Sequence, residues 1–126
     1  MTNLNKGILI TLAIIGGFVF LFNPGETEYR TTDNDVYLKI TANTTDLELQ
    51  LIQADLKETK NISMDYSKSN FSNKGELQEL NLAVDCNDGH SGKTNISSFG
   101  LLIGGYGFHD VMDENGEAVS FRIGRI

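Results

Sequence analysis

Two short stretches of this chain hold the side chains best suited to chemistry. Cys86, Asp88 and His90 fall within five positions, and His109 and Asp110 follow further on. A Cys–His pair can make a nucleophile, because imidazole takes the proton that a thiol keeps at neutral pH. The same stretch offers cation ligands in Asp85, Asn87, Asp88 and His90, and Asp110, Asp113 and Glu114 offer further oxygens. Each group also has a plainer reading. Cys86 continues an alternating run with Leu80, Leu82 and Val84, where a free cysteine behaves as a small hydrophobe. With Asp85 as first position, Gly89 is the fifth, whereas a calcium loop needs its glycine at the sixth. Asn87-Asp88-Gly89 and Asp113-Glu114-Asn115-Gly116 are also ordinary turn sequences. No residue is therefore assigned a catalytic, cofactor-binding or metal-binding role, no cofactor is expected, and the chain is read as non-enzymatic.

Gly100 to Gly107 mixes apolar residues with four glycines. A P-loop needs Lys-Ser/Thr after its last glycine, and a dinucleotide fingerprint needs Gly-x-Gly-x-x-Gly between a strand and a helix. Neither pattern is present, so a bulged strand or a close chain crossing is expected. Leu101, Leu102, Ile103, Tyr106 and Phe108 are expected to fill core, with an exposed docking patch as the alternative.

These residues depend on the elements around them. Val36, Leu38 and Ile40 alternate with polar neighbours and predict a half-buried strand. Thr45 and Glu48 form a capping-box pattern, and Leu49, Ile52 and Leu56, widened by Leu51, give the following helix one apolar face. Asp46 and Glu48 stand in its first turn and Lys57 and Lys60 near its end, in keeping with the helix dipole. Ile62, Met64 and Tyr66 alternate, Ser72-Asn73-Lys74-Gly75 supplies a turn, and the run from Leu80 to Cys86 completes a hairpin. A shorter strand is expected over residues 94–99, and a final hairpin pairs Phe108 to Met112 with Ala118 to Ile123. The expected fold is α+β: a β-α-β-β core, mostly antiparallel sheet with one helix packed on it, and a C-terminal hairpin.

Ahead of the domain, Ile8 to Phe22 is an uninterrupted apolar run after Lys6, ending at Asn23-Pro24-Gly25. As a helix its 15 residues rise about 22 Å, short of a hydrocarbon core of about 30 Å unless its flanks extend it. No small-x-small cleavage pattern or lipobox cysteine follows, which favours an uncleaved signal anchor over a signal peptide. Lys6 before the run and Glu26 and Glu28 after it place the N-terminus in the cytoplasm and the domain outside. The organisation read from the chain is an anchor or signal peptide over 1–25, a linker over 26–35 and an extracytoplasmic domain over 36–126. The alternative is a secreted or periplasmic domain released near residue 25.

Net charge is −7, from 17 acidic and 10 basic residues, with no basic cluster and no tryptophan, so nucleic acid is not an expected partner. One cysteine excludes an intramolecular disulfide, which suits a bacterial envelope protein better than a eukaryotic extracellular domain. Sequons at Asn43, Asn61, Asn70 and Asn95 reflect composition in a chain this rich in Asn, Ser and Thr.

From Ile40 the chain reads Ile-Thr-Ala-Asn-Thr-Thr-Asp-Leu-Glu-Leu, then Asp55-Leu56-Lys57, Ile62 to Ser67 and Gly75-Glu76-Leu77. Over about residues 40–92 this resembles a small βαββ module that follows the peptidase region in M56 membrane metallopeptidases of the β-lactam-sensor, antirepressor kind. The resemblance implies a βαββ fold on the outer side of a membrane and carries no chemistry. The His-Glu-x-x-His helix of the peptidase is absent. The expected function is a membrane-anchored envelope protein of the bacterial cytoplasmic membrane, held by Ile8–Phe22, whose outer domain binds a protein partner or senses a ligand. Two alternatives stand beside it: an inhibitor or immunity-type protein presenting Asp46, Glu48, Asp55 and Glu58 on the helix's solvent side, and a small thiol- or metal-dependent enzyme.

Overall fold

The computed structural model describes residues 20–21 and 27–126. The anchor expected over Ile8–Phe22 lies outside the described residues except for Phe20–Leu21. Those two form strand β1, paired antiparallel with β2 (Glu28–Thr31). Among the described residues no helix is long and apolar enough to cross a membrane.

β2 corrects the linker expected over 26–35. Its only large apolar residue is Tyr29, and its other inward positions are threonines: Thr27, just ahead of it, and Thr31 are buried alongside that ring. The inward alternation is therefore hidden behind polar residue types. β2 pairs antiparallel with β3 (Asp35–Ile40), which carries Val36, Leu38 and Ile40 inward as the alternation predicts.

Helix α1 (Asp46–Asp55) starts at the capping box read from the sequence. Thr45 Oγ1 accepts from Glu48 N at 3.2 Å, and Glu48 Oε1 accepts from Thr45 N at 3.0 Å. A cap of this kind contributes about 1 kcal/mol. Leu49, Ile52 and Leu56 are fully buried, each contributing about 1.5–3 kcal/mol. The helix runs on as a π turn (Leu56–Lys60) and ends at Asn61 in the left-handed conformation. Glu48 and Asp55 are buried, not on the solvent side as expected. Glu48 takes a hydrogen bond from Thr27 at 3.0 Å, and Asp55 takes one from the Tyr29 hydroxyl at 2.7 Å. The acidic mask required by an inhibitor-type reading thus loses two of its four members.

After the π turn come β4 (Ser63–Asp65), β5 (Asn70–Phe71) and β6 (Leu77–Asp85). β4 and β5 both pair antiparallel with β6 and turn Met64, Leu80, Leu82 and Val84 inward. β7 (Ser91–Ser97) pairs along the other edge of β6, earlier and longer than the strand expected at 94–99. The chain then forms a six-residue helix, α2 (Ser98–Ile103), where a bulged strand or chain crossing was expected. Ser97 caps it, and Leu101 anchors it in the core. β8 (Tyr106–Met112) and β9 (Ala118–Arg125) make the final hairpin, whose turn is held by Asp113 Oδ1 accepting from Asn115 N and Glu117 N. A close crossing does exist at Gly107, where a Cβ would stand 1.8 Å from Leu38 O across the β3–β8 pair.

The fold is α+β with antiparallel sheets. In place of one sheet under one helix there are two, β1-β2-β3-β8-β9 and β4/β5-β6-β7, because β3 pairs with the C-terminal hairpin and not with the strands that follow α1. The sheets meet where Gly92 of β7 lies against Phe121 and Ile123 of β9, and one apolar cluster runs between them.

Candidate functional site

The cysteine, carboxylates and one histidine named from the sequence come together at one end of this core. Cys86 ends the inward alternation of β6, and its N–H donates to His90 O at 2.9 Å across a tight turn. The turn needs left-handed backbone at Asn87 (φ 58°) and Gly89 (φ 102°). Asp88 Oδ1 accepts from His90 N at 2.9 Å, so the turn aims both side chains the same way. β8 brings Asp110 to meet them: Phe108 and Asp110 share its inward face. His90 Nδ1 lies 2.6 Å from Asp110 Oδ1 and 3.8 Å from Asp88 Oδ1. The His90 ring stacks on Phe121, with centroids 5.4 Å apart.

Cys86 Sγ and one oxygen from each of Asp88 and Asp110 lie within 4.8 Å of one another. Burial, then the negative charges of Asp110 and Asp88, push the thiol well above its ordinary range. Cys86 therefore remains a thiol at neutral pH while the site holds no cation. The imidazole of His90 is engaged by Asp110, so the Cys–His nucleophile weighed from the sequence is not assembled. Burial and the adjacent Asp88 raise Asp110. Burial opposes ionisation of Asp88 too, but bonds from Asp110 and from the His90 backbone outweigh it and lower Asp88. Asp88 Oδ2 and Asp110 Oδ2 are both buried with no hydrogen-bond partner of good geometry. Cys86 and Asp110 line an open cleft of about 350 Å³, whose other walls include Asp33, Glu58, Lys60 and Asn61.

The remaining candidates fall elsewhere. His109 projects from the opposite face of β8 and places Nε2 2.9 Å from Asp35 Oδ2. Asp85 and Asn87 are exposed and serve the turn: Asp85 accepts from Asn87 N, and Asn87 Nδ2 donates to Asn61 O. Asp113 is spent on the β8–β9 turn, and Glu114 is exposed there. The apolar residues of 100–107 divide: Leu101 and Phe108 are core, whereas Leu102 and Ile103 are exposed together with Phe99. Asp35 and Phe99 carried no signal in the sequence, since Asp35 gains its partners only from β2 and β8, and Phe99 stood in an expected strand.

No family model matches the chain, and no curated protein or solved structure is similar to it.

Proposed function

We propose that the chain is a membrane-tethered binding protein: the part of the apolar run Ile8–Phe22 that precedes β1 anchors it, and the domain on the outer side docks a protein partner through α2. The observation that carries this reading is the exposure of Phe99, Leu102 and Ile103, which are 71%, 73% and 66% accessible on one six-residue helix. Scattered apolar residues are normal on a surface, but three large ones side by side mark a contact face. Leu101 holds the helix in place from below, so the three side chains are displayed on a fixed platform. Tethering raises the effective concentration of such a face toward partners in the same membrane.

The test places a photo-crosslinking amino acid at Leu102 or, as control, at exposed Glu114 in the full chain in its native membrane. A protein adduct of one discrete mass from position 102, absent from position 114 and lost when Phe99→Ser is added, is the expected result. Adducts confined to lipid, or equal labelling from both positions, would overturn it.

A further inference from the structure

We infer that Cys86, Asp88 and Asp110 form a binding site for a thiophilic divalent transition-metal ion of the zinc class. Three potential ligand atoms, from Cys86 directly after β6, Asp88 in the turn and Asp110 on β8, lie within 4.8 Å of one another. Tetrahedral zinc with bonds of about 2.0–2.3 Å spaces its ligands by about 3.3–3.8 Å, so closure needs movements of about 1 Å. The second observation is Asp110 itself. Its side chain is 1% exposed, Oδ1 is taken by His90, and Oδ2 is buried with no hydrogen-bond partner. A proton bridges only two atoms and leaves the third outside, whereas a metal ion engages the sulfur and both carboxylates together.

The donor set selects the ion. Calcium and magnesium take oxygen ligands and gain little from sulfur, while zinc and its neighbours bind thiolate, carboxylate and imidazole. His90, 2.6 Å from Asp110 Oδ1, orients the carboxylate from behind, as outer-shell partners do. Cys86 and Asp110 border the open cleft, so three protein ligands leave a position for water or a small ligand. Binding forms one metal–sulfur and two metal–oxygen bonds and releases the thiol proton to solvent. No electron changes hands. This site is separate from the α2 face, and either can exist without the other.

The purified full chain, stripped with a chelator and kept reduced, is titrated with Co²⁺ as a spectroscopic substitute. One equivalent is expected to produce a thiolate-to-cobalt charge-transfer band, which Zn²⁺ then abolishes. Cys86→Ser loses the band, Asp110→Asn weakens binding at least about tenfold, and His109→Ala, on the other face of β8, leaves both unchanged. A folded wild-type chain that gives no band, or a band that persists in Cys86→Ser, overturns the site. Where Asp110→Asn fails to fold, the Cys86→Ser spectrum decides, since it leaves both carboxylates in place.

Discussion

Asp35 opens β3 on the outer face of the larger sheet, and it gathers donors from both flanking strands, β2 and β8, and from the β2–β3 turn. Arg30 Nη2 is 3.0 Å and His109 Nε2 2.9 Å from Oδ2, and the Thr32 hydroxyl donates to Oδ1 at 2.7 Å. The guanidinium of Arg30 and the imidazole of His109 also pack on Tyr37 between them. Burial alone would raise the Asp35 pKa, but the bonds from His109, Thr32 and Arg30 outweigh it and hold it below the usual carboxylate value. A lowered folded pKa means stabilisation that is present above the unfolded pKa and lost as pH falls through the folded one. Asp35→Asn should therefore cost about 1 kcal/mol at pH 7, at the low end for a charged network because water reaches the group. Urea midpoints of the two chains should begin to converge below about pH 3.9, where the unfolded carboxylate takes up its proton, and meet only below the lower folded pKa. A gap as wide in acid as at neutrality would show that the ion pair is not its source. At this scale the sequence was readable only where partners are local. Thr45 and Glu48 are three residues apart, and their reciprocal bonds followed from spacing alone. Asp35 and His109 are 74 apart, and nothing short of the strand pairing brings them together.

The elements follow the same division. α1 was legible because its cap and apolar face repeat at helical spacing within one window. β2 was not, because threonines flank Tyr29 on the inward side, Thr27 just ahead of the strand and Thr31 within it; the burial of Glu48 and Asp55 then went unseen, since Thr27 and Tyr29 of that region are what satisfy them. The candidate site was half legible for the same reason. Cys86, Asp88 and His90 share one turn, whereas the arrival of Asp110 depends on β8 lying against the second sheet. The glycines of β7 and β8 make that approach testable. At Gly107 an added Cβ would meet the Leu38 carbonyl at 1.8 Å, a backbone atom fixed by the β3–β8 ladder. Gly107→Ala should cost at least about 2 kcal/mol by forcing the strands apart. At Gly92 the nearest atom is Ile123 Cγ2 at 2.9 Å, on a side chain that can turn away. Gly92→Ala should stay within about 1 kcal/mol of wild type, since alanine also restrains the unfolded chain. Denaturant titration of both variants checks the order. Equal costs would mean that the strand crossing has more slack than its geometry implies.

At the scale of the whole molecule, two features must be explained together: a chain of net charge −7 whose acidic residues all follow the apolar run, and that run itself. Charge of that sign and size keeps a domain dissolved and gives it no electrostatic reason to approach an anionic lipid surface. In the proposed reading, membrane attachment comes from the part of Ile8–Phe22 ahead of β1, an apolar run broken only by Thr11 and two glycines. Ionic attachment and anchoring respond differently to alkali. High pH strips a protein held by charge, while a buried apolar helix stays. The full chain should therefore remain with the membrane through alkaline extraction at a mass that includes residue 1. Lys6→Glu, which weakens the cationic flank, should disturb its orientation, read by protease access to the domain from outside. A soluble product with a mass beginning near Glu26 would instead make the domain diffusible. The α2 face would then have to find its partner at bulk concentration, without the gain that tethering supplies, and it would need affinity well beyond what three exposed side chains provide.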